Sequence, residues 1–349
     1  MFTVYVEKEI FESLVVFNEE TPNWYNVLCK HSDVCLNLTE EELEAEEIEG
    51  TPIFEFIKAN GGRSPIALKD YFDEIYQSPE IIAEKPRSAF FLNYTPEEAA
   101  NLQENYGVIV HGTTDFDDTI LRGSFYKELP STTILDSGGK IGWHNLISFA
   151  LPPSNAMIIT DEYLFSNEEG GANIGYANLI HLIDSLLPVA LLVPYHICII
   201  ANDQPEFGKA AKSEQWCNTI AANLKAAIIA LRPYQIILEL VFVKTLHKRR
   251  IMLNYLNGSC DKGFGVFRVA DRRIVRTDND FRCDRIFNRI NPNEGDTDYS
   301  SSEIALKQLK ANCHTARTFI SNAGQALQNR ILGDCYIDFS LKNRLIKDV

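Results

Sequence analysis

The sequence predicts two α/β domains in succession. Short runs of β-branched and apolar residues alternate with segments of helical apolar spacing through most of the 349 residues. This order is typical of a partly parallel sheet covered by helices. Glycine, serine and proline interrupt the alternation between residues 122 and 153, and the length suits two domains. We therefore predict one α/β domain over residues 1–152 and a second over residues 153–349.

The first domain is predicted from short strands and well-signalled helices. Thr95-Pro96-Glu97-Glu98 is a strong helix start, because it combines a capping side chain, a proline in the first turn and acids at the positive end of the helix dipole. Thr39 caps a second, acidic helix. The predicted strands are Thr3–Glu7, Asp33–Leu38, Ala89–Asn93 and Gly107–Gly112, and further helices are predicted over Pro52–Asn60 and Pro65–Tyr76.

In the second domain, buried strands alternate with amphipathic helices. The predicted strands are Ala156–Asp161, His196–Ala201 and Ile236–Val243, and the helices between them are Ala177–Leu187 and Ser213–Leu231. Ligands in α/β folds bind beyond the carboxyl ends of such strands, so the residues after Val243 are a candidate site. Further strands are predicted over Arg250–Leu256 and Gly263–Val269, and a long helix from Ser302 to about Ile331.

The composition favours a folded cytoplasmic protein. The first residues, MFTVYVEKEIFES, lack the basic and apolar regions of a signal peptide. The most apolar run, Leu182–Ile200, contains Asp184 and two prolines, so no transmembrane segment is predicted. Eight cysteines occur singly without a C-x2-C pair, which favours a reducing compartment and gives no support for a zinc ribbon.

Positive charge is concentrated in one segment of an acidic chain. The net charge is −15, yet Lys244–Arg289 contains 12 Lys/Arg and 5 Asp/Glu, a net of +7. Such a patch is expected for a phosphate-bearing partner, and its aromatic residues suit single-stranded nucleic acid. Alternatively, its arginines pair with acids of the first domain. The candidate phosphate-binding residues are Lys244, Lys248, Arg250, Arg268, Arg272, Arg273 and Arg276.

His247, Arg249 and Asn254 form an H-x-R-x4-N pattern within this segment. A histidine can attack phosphorus and form a covalent intermediate, an arginine can hold a phosphate through two hydrogen bonds, and an asparagine can orient the imidazole. In an extended chain, positions 247 and 249 share one face, whereas Asn254 falls on the other, so a bend must bring it round. Alternatively, His247 is an ordinary strand-end histidine in a basic turn.

The pattern resembles the phospholipase D superfamily signature, H-x-K-x4-D. His247 stands where that family has its nucleophile, Arg249 where it has the phosphate-binding lysine, and Asn254 where it has an aspartate. A closer resemblance is to the phospholipase-D-like C-terminal domain of eukaryotic proteins with a microtubule-interacting-and-trafficking domain. That group also has H-x-R, and its opening strand is similar to ITDEYLF, which ends at Phe165. The resemblance covers roughly residues 155–290.

Two functions follow from the resemblance. One is a metal-independent phosphodiesterase or nuclease acting on nucleic acid without a cofactor. A role in a prokaryotic antiviral defence or processing system would suit the architecture of such a chain. Phospholipase D enzymes use two such motifs and this chain has one candidate, so a homodimer is implied. The other is a pseudoenzyme scaffold that binds nucleic acid, membrane phospholipid or an acidic protein. The eukaryotic group, which binds membranes without catalysis, and the missing carboxylate at Asn254 favour the scaffold.

The first domain has acidic candidates of its own. Asp115, Asp117 and Asp118 lie in a D-x-D-x-T run that resembles the first motif of haloacid-dehalogenase-type phosphatases. Together with Glu7, at the end of the first strand, they also suggest a PIN-like nuclease fold, in which carboxylates bind magnesium or manganese. Alternatively, the run is a turn rich in aspartate, a residue that suits turns.

Overall fold

The computed structural model describes residues 2–114, 116–117, 124–129, 142–166, 168–169, 172–202, 212–243, 249–270, 274–275, 279–287, 302–325, 330–334 and 342–348. The chain is a mixed α/β protein built on two sheets, so the predicted fold class is confirmed.

The first sheet lies within residues 2–111. Its strands are β1 (Phe2–Val6), β2 (Ser32–Leu36), β3 (Ile66–Ala67), β4 (Ser88–Phe91) and β5 (Ile109–His111). Among the described residues these strands are all parallel and follow the order β3-β2-β1-β4-β5. The intervening helices are α1 (Lys8–Val16), α2 (Pro22–Asn26) with a π-turn at Val27–His31, α3 (Glu40–Glu46), α4 (Pro52–Ala59), α5 (Lys69–Gln77), a 3-10 turn at Pro79–Glu84, and α6 (Pro96–Tyr106).

The predicted helix starts at Thr39 and Thr95, in the part of the chain that forms the first sheet, are confirmed. Thr95 and Glu98 form the reciprocal capping box that starts α6, and Gly107 ends this helix in the left-handed conformation. Thr39 caps α3 in the same way. The predicted helix Pro65–Tyr76 starts too early, because Ile66 and Ala67 instead pair with β2 as a short edge strand.

The second sheet contains strands from the rest of the chain. They are β6 (Ser124–Leu129), β7 (Ala156–Asp161), β10 (Tyr195–Asn202), β11 (Ile236–Val243), β12 (Arg250–Leu253), β13 (Leu256–Cys260), β14 (Asn279–Arg285) and β15 (Arg330–Gly333), while β8 (Glu168–Glu169) and β9 (Ala172–Asn173) form a separate hairpin. The helices are α7 (Trp143–Leu146), α8 (Ile174–Leu186), α9 (Glu214–Ile229), α10 (Ser302–Gln325) and α11 (Arg344–Lys347). Within the described residues the order is β15-β11-β10-β7-β12-β13-β14-β6.

Strand direction divides this second sheet. The central strands β7, β10 and β11 are parallel, as predicted, and the remaining pairs are antiparallel. β6 pairs with β14, although it precedes the predicted domain boundary at residues 152–153. Sheet membership therefore changes between residues 111 and 124, earlier than the breaks in composition suggested.

Three predicted elements of the second domain differ from the structure. The run Arg250–Leu256 is a hairpin rather than one strand, because the chain turns at Asn254-Tyr255. Gly263–Val269 makes only an isolated bridge, between Phe267 and Ile274. The terminal helix ends at Gln325, and Ile331 lies in β15, paired with Val241.

The two sheets share one hydrophobic core. Its members include Val4 and Phe91 from the first sheet and Ile158 and Val241 from the second. A second core fills the opposite face of the larger sheet, where Trp143 and the apolar faces of α8 and α9 pack. The larger sheet is therefore covered on both faces, and one of its faces adjoins the first sheet.

Residues 342–348 contact both sheets. Arg87 donates from Nε to Asp348 Oδ2 (2.6 Å) and from Nη2 to Asp348 O (2.8 Å). Arg344 donates to Glu84 Oε1 (2.8 Å) on one side and to Pro194 O (2.7 Å) on the other. Arg87 and Arg344 are both buried. The two ion pairs attach the segment to the first sheet, and the hydrogen bond to Pro194 O attaches it to the second.

Two buried titratable side chains bond to the backbone of Lys342. Its N–H donates to Glu239, and its carbonyl accepts from Nδ1 of His196. Burial raises the pKa of Glu239 to about 7, against the lowering effect of hydrogen bonds from the Lys342 and Asn343 backbone. Burial, with the charge of Arg344, lowers the pKa of His196 to about 4.

Candidate functional site

The carboxyl ends of the parallel strands of the second sheet meet at one edge. Asp161 at the end of β7 pairs with Ala201, and Asn202 at the end of β10 pairs with Val243. Arg250 pairs with Thr160, next to Asp161, and its amide donates to Thr160 Oγ1 (3.2 Å). The described residues on either side of the H-x-R motif therefore lie at this edge.

Asp161 organises the backbone there. Its fully buried carboxylate accepts from Tyr163 N (3.0 Å) and Phe264 N (2.7 Å). Gly263 has a φ of +91°, and a Cβ on it would lie 2.7 Å from Asp161 Oδ2, so only glycine allows this approach. Burial raises the pKa of Asp161, while the two amide donors and then Arg249 act in the opposite direction.

Arg249 lies beside Asp161 and is held in position by its neighbours. Its Nη1 donates to Asp261 O (2.7 Å), and its Nε lies 3.9 Å from Asp161 Oδ1. The guanidinium carbon is 5.7 Å from the centre of the Tyr163 ring, and the side chain is 24% exposed. Arg249 Nε has no hydrogen-bond acceptor among the described residues. The guanidinium is thus oriented while part of it remains open to solvent.

Aromatic rings follow the same edge. Tyr163 is 38% exposed directly after Asp161 and Glu162, and Phe165 packs on Trp216 with centroids 6.1 Å apart. Lys212 lies over the Trp216 ring at 5.1 Å. The edge therefore carries two cation–aromatic pairs, both within the range in which such contacts attract.

Asn254 lies at the opposite end of β12 from this edge. It follows the last residue of β12, whereas Arg249 precedes the first, and Asn254 is fully buried. Its Nδ2 donates to Gly107 O (3.0 Å) and Asn155 Oδ1 (3.2 Å). Asn155 in turn donates to Ala83 O (3.0 Å) and Tyr106 O (2.8 Å). The bend that would bring Asn254 round to Arg249 is absent from β12, and its amide instead joins the two sheets.

Tyr255 extends this junction. Its hydroxyl donates to Ser88 O (2.6 Å) and accepts from Ile109 N (3.0 Å), both in the first sheet. Gly107 is left-handed, and a Cβ on it would lie 2.4 Å from Ser154 O. We call Asn155, Asn254, Tyr255 and Gly107 the seam, because together they satisfy buried polar groups between the sheets.

The other candidate residues are spread out. His247, with Lys244, Lys248, Arg272, Arg273 and Arg276, lies outside the described residues. Arg250 is half-buried, and Arg268 is exposed in the loop whose Phe267 amide donates to Asn178 (3.0 Å). The structure therefore brings Arg249 and Arg250 to the same edge of the sheet and places Arg268 on a separate loop.

The acidic candidates of the first domain do not form a described metal site. Asp115 and Asp118 lie outside the described residues. Burial lowers the pKa of Arg285, and the charge of Asp117 acts in the opposite direction. Glu7 accepts a hydrogen bond from the Tyr76 hydroxyl. Within the described ranges, no three His, Cys, Asp or Glu side chains are arranged to hold a metal. The PIN-like fold stays a prediction.

Sequence reasoning missed three contributors to the Arg249 environment. They are the Asp261 carbonyl, the Gly263-Phe264 amide and the Tyr163 ring. Tyr163 had a signal, because it stands in the ITDEYLF run on which the family resemblance rests. A backbone carbonyl carries no sequence signal, and Gly263 was predicted only as the start of a strand.

Comparisons with known proteins add nothing to the mixed α/β class that the structure shows. No family model matches the chain, and no curated protein matches it. One solved structure that aligns is TrmBL2, an archaeal chromatin protein described as showing a novel mode of DNA binding. It is 10% identical over 76% of this chain and 68% of that chain, with a TM-score of 0.23. That likeness supports no inference about fold or function. In the part of the chain that the structure describes, no helix is long and apolar enough to cross a membrane.

Proposed function

We propose that the protein binds the phosphodiester backbone of a nucleic acid at the carboxyl edge of its second sheet, with Arg249 as the phosphate clamp. The fixed guanidinium carries the proposal. Asp261 O orients it, Tyr163 flanks it, and the side chain remains partly exposed to solvent. A guanidinium held in this way loses little freedom when it binds a phosphate.

The resemblance to phospholipase D supports the same residue, because Arg249 stands where that family binds phosphate. The burial of Asn254 favours binding over turnover, since the residue expected to orient the histidine is engaged with Gly107 and Asn155. We therefore propose a degenerate relative of that family in which phosphate recognition is retained. Homodimerisation and a role in prokaryotic defence stay predictions.

Binding of labelled single- and double-stranded 20-mers of DNA and RNA tests this proposal. In EDTA at two salt concentrations, Arg249→Ala should weaken binding at least tenfold, because a hydrogen bond to a charged group is lost, and should reduce the salt slope by about one. Arg249→Lys keeps the charge without the fork and should give an intermediate affinity. Arg63→Ala removes an exposed charge near the first sheet and should change affinity less than twofold. Equal affinities for Arg249→Ala and Arg63→Ala would contradict the proposal.

The same samples separate binding from cleavage. Run on a denaturing gel with His247→Ala in parallel, they should contain intact nucleic acid in every case. Cleavage that persists in EDTA and disappears in His247→Ala would replace the binding proposal with the histidine phosphodiesterase that the resemblance also implies.

A further inference from the structure

Tyr163 is an exposed aromatic residue in a fixed position. Its amide donates to Asp161 Oδ1 (3.0 Å), and its carbonyl accepts from Ser166 N (3.0 Å) and Ser166 Oγ (2.8 Å). Its hydroxyl is bonded to Glu162, which helps to raise the pKa of that hydroxyl after the larger effect of burial. A ring with 38% of its residue exposed is thus oriented by three neighbours, and binding a flat ligand would cost it little conformational entropy.

The ring and Arg249 form one composite surface. The guanidinium lies 5.7 Å from the Tyr163 centroid and is itself fixed by Asp261 O. A phosphate bound by Arg249 would therefore lie in the neighbourhood of an aromatic ring. The Trp216–Lys212 pair repeats this chemistry along the edge, joined to the Tyr163 loop through Phe165.

We propose that Tyr163 stacks against a base, so that the ligand is single-stranded nucleic acid with a base on Tyr163 and an adjoining phosphate on Arg249. This inference rests on the proposed function and adds the class of nucleic acid. Every base has a π-face, so stacking tolerates any sequence, whereas in a duplex the bases stack on one another and are withheld.

A strand without bases separates stacking from phosphate binding. Fluorescence anisotropy would compare labelled dT12, a 12-residue abasic strand with the same phosphates, and a 12-base-pair duplex. The wild-type protein should bind dT12 about tenfold or more tightly than the abasic strand or the duplex. Equal affinity for dT12 and the abasic strand would overturn the inference without any variant.

Variants assign the effect to the ring. Tyr163→Leu should lose about tenfold for dT12 and less than twofold for the abasic strand, while Tyr163→Phe, which keeps the ring, should stay within threefold of wild type. Phe17→Leu removes an exposed ring, 57% exposed at the end of α1, and should change neither affinity. Tyr163→Leu with wild-type affinity for dT12, or with an equal loss for both strands, would overturn the inference.

Arg249→Ala distinguishes the two proposals. If it weakens both strands while Tyr163→Leu weakens neither, base stacking fails and phosphate binding stands. If Arg249→Ala weakens neither strand, the proposed function itself fails.

Discussion

The two ends of β12 lie in opposite environments, although one short motif spans both. At the amino end, Arg249 is 24% exposed at the sheet edge, beside Asp161 and Tyr163. At the carboxyl end, Asn254 is fully buried in the seam and bonded to the first sheet through Gly107 O. The edge end is partly open to solvent, whereas the seam end is buried and bonded across the two sheets.

This difference shows how strand geometry separates residues that are close in sequence. Arg249 and Asn254 are five positions apart, an odd spacing that puts them on opposite faces of an extended chain. The H-x-R-x4-N pattern suggested a single site, on the expectation that a bend would bring Asn254 round to Arg249. That expectation was wrong, because β12 runs without such a bend and Asn254 bonds to Gly107 and Asn155 instead. Changes at the seam end should therefore alter stability, and changes at the edge end should alter binding.

Asn254→Asp should have the largest effect and tests the difference between the two ends of β12 most directly, because it restores the carboxylate of the H-x-K-x4-D pattern. An aspartate cannot donate to Gly107 O or Asn155 Oδ1, and its charge would be buried beside both oxygens. We expect a loss of more than about 3 kcal/mol in the free energy of unfolding, measured by urea denaturation, and no gain of cleavage.

Asn257→Asp is the matched control. Asn257 accepts from Asn312 Nδ2 (3.0 Å) through an oxygen that aspartate keeps, so its urea midpoint should stay close to that of wild type. If Asn254→Asp were as stable as this control and cleaved nucleic acid, Asn254 would belong to a catalytic site and the separation of the two ends would be wrong.

The contacts of Lys342 with Glu239 and His196 attach residues 342–348 to the second sheet, and they should make stability depend on pH. The pKa of Glu239 is raised from 4.5 to about 7, so its contribution to stability is complete below pH 4.5 and is lost as pH rises through 7. Burial lowers the pKa of His196 from 6.5 to about 4; Arg344 and Lys347 act in the same direction, and the Lys342 carbonyl and Glu84 act against it. Its contribution is present above pH 6.5 and lost as pH falls through 4. The two slopes oppose each other.

Single variants should reveal these opposite slopes. Glu239→Gln should lose about 3 kcal/mol of stability between pH 7 and pH 4, and His196→Asn a similar amount between pH 4.5 and pH 7. Urea midpoints across this range measure both, and the double variant should be nearly flat. A Glu239→Gln profile parallel to that of wild type would show that Glu239 does not titrate in the folded state as its burial implies.

Tyr255→Phe should have the smallest of these effects. It removes one hydroxyl and leaves Ser88 O and Ile109 N without their partner, which should cost about 1–3 kcal/mol with no change in nucleic-acid affinity. Tyr176→Phe is the control, because its hydroxyl bonds to Asn223 O at an exposed position. If the two variants were equally stable, the hydrogen bonds of Tyr255 would contribute little to the seam.

Much of the fold could be predicted because its signals are local. The capping box of α6 lies within four residues, and β7, β10 and β11 are predominantly apolar runs. The pairing of β6 with β14 joins segments about 150 positions apart, and no local period records such a partner. Ile66 and Ala67 became a strand through their neighbour β2 rather than through their own composition.

The candidate site was predictable to a smaller extent. Arg249 and the carboxyl edge followed from the alternation of strands and helices together with the motif. The seam role of Asn254 depends on carbonyl groups of residues 107 and 155, which come together only in the folded chain. A polar residue between two apolar runs can serve either a site or a junction, and only its partners decide which.

The contacts of residues 342–348 bear on how the chain folds. Arg344 and Glu84 are 260 positions apart, and Arg87 and Asp348 are 261 apart. Closing so long a loop costs entropy that only the finished contacts offset. Each sheet has many shorter-range pairings with which to begin, so the junction between them should form late in refolding. A probe at Arg344 would therefore report completion of the whole molecule rather than formation of either sheet.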